Sequence, residues 1–114
     1  DPITAGHVDL VRRAIPVFDK IVVAVGVNTQ KKYRFPLEQR MAWLEKVFKK
    51  EDPVEVGQFD TLTGDYCKAI EAGYLLRGLR NASDFDYEKT ISQLNTIIGD
   101  GLETVFLIIS RFLL

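Results

Sequence analysis

A chain of 114 residues with 46% hydrophobic and 27% charged residues has room for one domain and one core, which argues against disorder and against two full-sized domains. Its net charge of −1 supplies no overall attraction to nucleic acid or an anionic membrane, so any anion site has to be local. No apolar run is long enough to span a bilayer, DPITAGHVDL lacks the basic start and apolar centre of a leader, and lone Cys67 cannot close an internal disulfide, all of which fits a reducing cytoplasm.

From Gly6, apolar residues fall at Val8, Val11, Ala14, Ile15 and Phe18, which predicts a one-faced helix. KIVVAVGV, residues 20–27, is a continuous Val-rich run too short for a capped helix, and it predicts a strand covered on both faces. Leu37, Met41, Leu44 and Phe48 restore the helical period behind Pro36, which suits a first helical position, and Trp43 is expected in a core or an interface. A second strand follows at 53–57. A helix is expected over 65–72 after the turn Thr63-Gly64-Asp65, closed by Gly73, then a third strand from Tyr74 that ends at Arg77-Gly78. Ser83 or Asp84 can cap a fourth helix with the stripe Tyr87, Ile91, Leu94 and Ile98, broken by Gly99 and Gly101 before a last strand over 104–109. Alternation of this kind predicts an α/β fold: a Rossmann-like, doubly wound parallel sheet flanked by helices on both faces, as a single domain over 1–114. In such sheets ligands sit beyond the carboxyl ends of the strands, so polar residues just after the strands are the candidates for chemistry.

Thr4-Ala5-Gly6-His7 opens the first helix, where unpaired N–H groups favour phosphate and a His in the first turn can donate to a phosphate oxygen; a capping Thr beside a surface His is the plainer alternative. Lys31, Lys32 and Arg34 follow the first strand, either as phosphate neutralisers or as a solvated loop. Arg77-Gly78-Leu79-Arg80 follows the third strand, and two guanidinium forks around a glycine suit an anionic ligand as well as they suit an exposed turn. Glu88 lies one helical turn beyond Asp84, placed to accept from a ligand hydroxyl, to orient an arginine, or simply to face water. One His and one Cys provide no ligand set for structural zinc, and G-x-S-x-G, G-x-G-x-x-G and the P-loop pattern are all absent. Basic and aromatic residues are not interleaved as single-stranded nucleic acid would require.

Together, DPITAGHVDLVRRA and YLLRGLRNASDFDYE, with Lys31 and LEQRMAWL at matching spacing between them, resemble the phosphopantetheine adenylyltransferases, within the nucleotidyltransferases marked by a T/H-x-G-H signature. T-x-G-H alone points only to the wider group; the R-G-L-R segment with its glutamate narrows it. The resemblance implies transfer of AMP from ATP to 4′-phosphopantetheine, giving dephospho-coenzyme A and pyrophosphate, with Mg²⁺ accompanying the nucleotide. His7, Lys31 and Arg80 would be catalytic; Lys31, Thr63 and Arg77 would hold phosphopantetheine; His7, Gly78, Leu79, Arg80 and Glu88 would line the ATP site. His7, Lys31 and the 77–80 turn would then converge at one rim of the sheet. A cytoplasmic hexamer with coenzyme A as feedback ligand is implied as well, with no nucleic-acid or membrane partner.

Members of this family carry an apolar strand and a P-G-[ST]-F turn before the Asp-Pro, and an I-S-S-x-x-[RK] segment after the last strand. The expectation is therefore a domain lacking the first strand and the C-terminal helices, incomplete at both ends. Two alternatives stay open: another T-x-G-H nucleotidyltransferase, or a nucleotide-binding module without turnover.

Overall fold

The computed structural model describes residues 5–27, 35–48 and 52–109. In chain order they form α1 (Ala5–Ala14), β1 (Ile21–Gly26), α2 (Leu37–Val47), β2 (Val54–Phe59), α3 (Thr63–Ala69), β3 (Tyr74–Leu79), α4 (Ala82–Ile98) and β4 (Glu103–Ile108). This is the alternation that the changes of apolar period predict, and the strands pair in parallel, giving an α/β fold of Rossmann-like type. The chain divides into two compact units, residues 1–60 and 61–114, each holding a β–α–β segment with its own parallel pair of strands.

In the first unit, α1 buries Leu10, Val11 and Ala14, the one-faced spacing expected of an amphipathic helix. Pro16 disfavours a helical Ile15, so the helix ends at Ala14, whose carbonyl accepts from the Val17 N–H at 2.9 Å. β1 pairs with β2 from Ile21 opposite Val54 to Gly26 opposite Phe59. Ile21 is buried but Val22 to Val25 are half-buried, less covered than the continuous apolar run predicts. α2 starts one residue later than expected: Pro36 is its N-cap, extended at φ −58° and ψ 150°, and its carbonyl accepts from the Arg40 N–H. Arg40, Leu44 and Phe48 are buried, while half-buried Trp43 meets Phe35 edge-on at 5.0 Å. Arg12 fastens α1 to the end of α2 and the lead into β2. It donates to the Val47 carbonyl at 3.1 Å, pairs with Asp52 at 3.2 Å and lies 5.6 Å over the Phe48 ring.

The second unit corrects four local expectations. α3 begins at Thr63 rather than Asp65, so Thr63 sits in its first turn, and it ends at Ala69. Gly73 is not its cap; the left-handed residue is Glu71, at φ 58°, and the chain closes through the Ala72 N–H on the Cys67 carbonyl at 2.8 Å. β3 continues through Leu79, because Arg77 and Gly78 stand in register with Phe106 and Leu107 of β4 and the ladder outweighs the turn preference of Arg-Gly. Asn81, not Ser83 or Asp84, caps α4: its side chain accepts from the Asp84 N–H at 3.0 Å. As expected, Gly99 and Gly101 end α4, the latter at φ 100° with its N–H on the Thr96 carbonyl at 2.9 Å.

The covered face of α4 also differs from the predicted stripe. Tyr87 and Leu94 are exposed, whereas Asp84, Glu88, Ile91, Ser92, Asn95 and Ile98 are half-buried or buried. α4 comes so close to α3 that a Cβ on Gly64 would lie 2.8 Å from the Ile98 side chain and 2.9 Å from the Gly99 nitrogen. An edge-on contact of 5.8 Å between Phe85 and Phe106 joins α4 to β4. No helix among the described residues is long and apolar enough to cross a membrane.

Candidate active site

The second unit encloses a cavity of about 200 Å³. Thr63 reaches it from the first turn of α3, Leu75 and Arg77 from β3, and Thr104 from β4. α4 closes the remaining side with Tyr87, Glu88, Ile91, Ser92 and Asn95. Leu75, Tyr87 and Ile91 give the cavity its apolar surface, and the other six lining residues are polar or charged. Thr63 and Arg77, both expected to hold phosphopantetheine, thus share one cavity.

The strand alternation of β3 and the 3.6-residue period of α4 bring Arg77 against Glu88. Arg77 Nη2 donates to Glu88 Oε1 at 2.6 Å and Nε donates to Oε2 at 3.2 Å, a bidentate, charge-assisted pair. Of the roles open to Glu88 from sequence, orienting an arginine is the one this geometry supports. At the strand exit, the Arg80 backbone N–H and Nε both donate to Asp84 Oδ2, at 2.9 and 3.3 Å. That backbone donation, with the guanidinium adding to it, holds the Asp84 carboxyl below the usual carboxylate range against an opposing effect of desolvation.

His7 is exposed in the first turn of α1, a turn with no acidic residue of its own. His7 belongs to the first unit and Arg77 to Arg80 to the second. Thr4, Lys31, Lys32 and Arg34 lie outside the described residues. Among the described residues no group of three or more His, Cys, Asp or Glu side chains could hold a metal ion.

Sequence reasoning did not single out Ser92, Asn95, Thr104 or the tether from Asp84 to Arg80. A signal for part of this set was present: Asp84, Glu88 and Ser92 recur every fourth residue and Asn95 follows at the next turn, a polar line on a helix otherwise assigned an apolar stripe. Thr104 carried no such signal; its Oγ1 is buried without a hydrogen-bond partner among the described residues.

The profile of the cytidylyltransferase-like family matches residues 1–106. The chain is 46% identical over 110 residues to the phosphopantetheine adenylyltransferase of Christiangramia forsetii, covering 96% of this chain and 72% of that protein. It is 49% identical over 108 residues to the enzyme of the same name from Flavobacterium johnsoniae, covering 95% and 70%. The corresponding protein of Cytophaga hutchinsonii is 47% identical over 113 residues, 99% of this chain and 75% of that one. Similarity of this extent, running through both the first helix and the β3–α4 segment, means that the chain belongs to the phosphopantetheine adenylyltransferase family within the cytidylyltransferase-like group.

Proposed function

We propose that residues 1–114 act as one nucleotidyltransferase domain that moves AMP from ATP onto 4′-phosphopantetheine. The observation that carries this reading is the shared cavity of Thr63 and Arg77, the two described residues that the family pattern assigns to the acceptor. An oxygen of the pantetheine phosphate attacks the α-phosphorus of ATP in line. The bond from the α-phosphorus to the bridging oxygen breaks, and pyrophosphate leaves with the electron pair. Neither step needs an activated protein nucleophile. The protein's task is to place two anions together and to stabilise the charge that develops between them.

In this reading Arg77 holds the acceptor phosphate, Lys31 is given the same task by the family resemblance alone, and the cavity that Arg77 shares with Thr63 takes the amide-bearing arm. Gly78, Leu79 and Arg80 meet ATP, and His7 donates to its phosphates from the first turn of α1. Mg²⁺ accompanying the nucleotide would offset phosphate charge. Coenzyme A contains the same pantetheine arm and would compete for the same cavity. The exposed apolar residues Leu94 and Ile97 on α4 are compatible with assembly with further copies; the hexamer and the cytoplasmic setting of this reading come from the family resemblance alone.

Pyrophosphate release from ATP and phosphopantetheine by the full-length protein tests the reading. His7→Ala should lower kcat by about 10²–10³, the loss typical of one well-placed donor to a developing oxyanion. Turnover of nicotinate mononucleotide or glycerol phosphate in preference to phosphopantetheine would favour another T-x-G-H transferase. Tight ATP binding without any turnover would favour the binding module.

A further inference from the structure

Thr104 is the second residue of β4 and reaches the cavity from the sheet. Its Oγ1 is shut off from solvent and has no hydrogen-bond partner among the described residues. A buried hydroxyl left unpaired is destabilising, so a position that keeps one calls for a partner the bare chain does not supply. We propose that this partner is the acceptor: the Thr104 hydroxyl turns about χ1 into the cavity and hydrogen-bonds the first amide of the pantetheine arm, which makes Thr104 a specificity residue. The proposal rests on the adenylyltransferase reading above and adds a residue to which that reading gives no role.

The movement required is small. The Cβ of a threonine carries a hydroxyl and a methyl group, and a rotation between staggered wells exchanges their places without moving the strand. Thr104 lines the cavity while its oxygen is covered, so such a rotation can present the oxygen to the cavity. Strand register sets the reach. Thr104 stands opposite Leu75, and Arg77 lies two residues further along β3 at the wall of the same cavity. Along the strands the two positions are roughly 7 Å apart, at about 3.3 Å per residue. In phosphopantetheine the first amide carbonyl is the fourth carbon from the phosphate ester oxygen, a span of the same order. An arm whose phosphate sits on Arg77 therefore brings that amide level with Thr104.

Nearby hydroxyls are already committed. Ser92 Oγ, on the same wall, donates to the Lys89 carbonyl at 2.7 Å. Thr96 Oγ1 lies 2.7 Å from the Leu102 carbonyl and 3.0 Å from that of Ser92, as a purely structural hydroxyl does. Thr104 keeps both its proton and its lone pairs, so it can donate to an amide carbonyl or accept from an amide N–H.

A structural and a recognition role predict different results when the hydroxyl is removed. If it stays unpaired in every state, Thr104→Val relieves an unpaired polar group and leaves the acceptor alone. If the acceptor pairs with it, the same change weakens the acceptor.

Initial rates of the full-length protein, with ATP and phosphopantetheine varied separately, decide between them. Thr104→Val should raise KM for phosphopantetheine about three- to tenfold, the loss expected of one hydrogen bond between neutral groups, and leave KM for ATP within about twofold. Thr104→Ser keeps the hydroxyl and should stay within about twofold of wild type for both substrates. A rise in KM for ATP as large as that for phosphopantetheine, or an equal rise in Thr104→Ser, overturns the proposal. Should Thr104→Val not fold, Thr104→Ala is compared with Thr104→Ser: a rise for phosphopantetheine in the alanine variant alone supports the contact, and the same rise in both overturns it. A wild-type protein inert with this substrate pair overturns the adenylyltransferase reading and this one with it. An active wild type whose valine variant keeps its KM for phosphopantetheine overturns the role of Thr104 alone.

Discussion

The two β–α–β halves use their crossover helices in opposite ways. In the first, α2 buries Leu44 and Arg40, Phe48 is buried just beyond its end, and the charges of Glu38, Glu45 and Lys46 stay exposed. In the second, α4 turns Asp84, Glu88, Ser92 and Asn95 inward with Ile91, while Leu94 and Ile97 stand in water, Ile97 with 78% of its surface exposed. Strand length is the same in both halves, six residues, and so is the sense of pairing, so topology does not account for the difference. Folding alone rewards an apolar inner face. A polar inner face over a cavity is what a helix presents when its sequence answers to a ligand as well as to its own core.

The sharpest way to break that contrast is to truncate the packing helix. Leu44, 5% exposed, should cost about 2–5 kcal/mol when changed to Ala, read by denaturant unfolding of the full-length protein. A loss well below this would mean that α2 is no more a packing helix than α4. Gly64→Ala probes the second half at a place where it is packed to the limit. A methyl group there meets Ile98 and the Gly99 backbone, and the overpacking should cost about 1–3 kcal/mol in the same measurement. Asn95→Leu asks the complementary question. Asn95 is buried at the cavity wall, and replacing it should raise KM for phosphopantetheine about tenfold, near 1.4 kcal/mol, with smaller change in stability than Leu44→Ala. A variant that loses stability and keeps its KM would reassign Asn95 to the core.

The order of elements was legible because each change of period, from KIVVAVGV to LEQRMAWL and from YLLRGL to the long fourth helix, carries its own local signal. What escaped is what depends on partners distant in sequence. β3 outran its predicted end because β4 supplies the ladder for Arg77 and Gly78, a contact no window around residue 77 contains. The face of α4 was misjudged because apolar spacing was read as burial, although the polar spacing of Asp84, Glu88 and Ser92 fitted the same helix equally well. At the site, Arg77, Arg80 and Glu88 were named from sequence, but the pairing of each arginine with its own carboxylate needed three-dimensional placement. Thr63 was assigned by resemblance alone, and it lies in the first turn of α3 at the wall of the cavity.

The smallest expected effect concerns the acid limb of stability and separates a charged tether from a mere cap. The folded Asp84 carboxyl lies below its ordinary value, chiefly because the Arg80 backbone N–H donates to it. A depressed carboxylate contributes stability that is fully present above the unfolded value, about 3.9, and lost as pH falls through the folded value. Thermal unfolding of the full-length protein and of Asp84→Asn should therefore differ by a constant amount at neutral pH and converge below about pH 4. Asparagine can still accept from the Arg80 N–H, so the part of the gap that closes in acid reports the ionised carboxylate. If the gap stays constant down the acid limb, Asp84 serves the second half by shape alone. The contrast between a helix that packs and a helix that holds charges in place would then rest on Glu88.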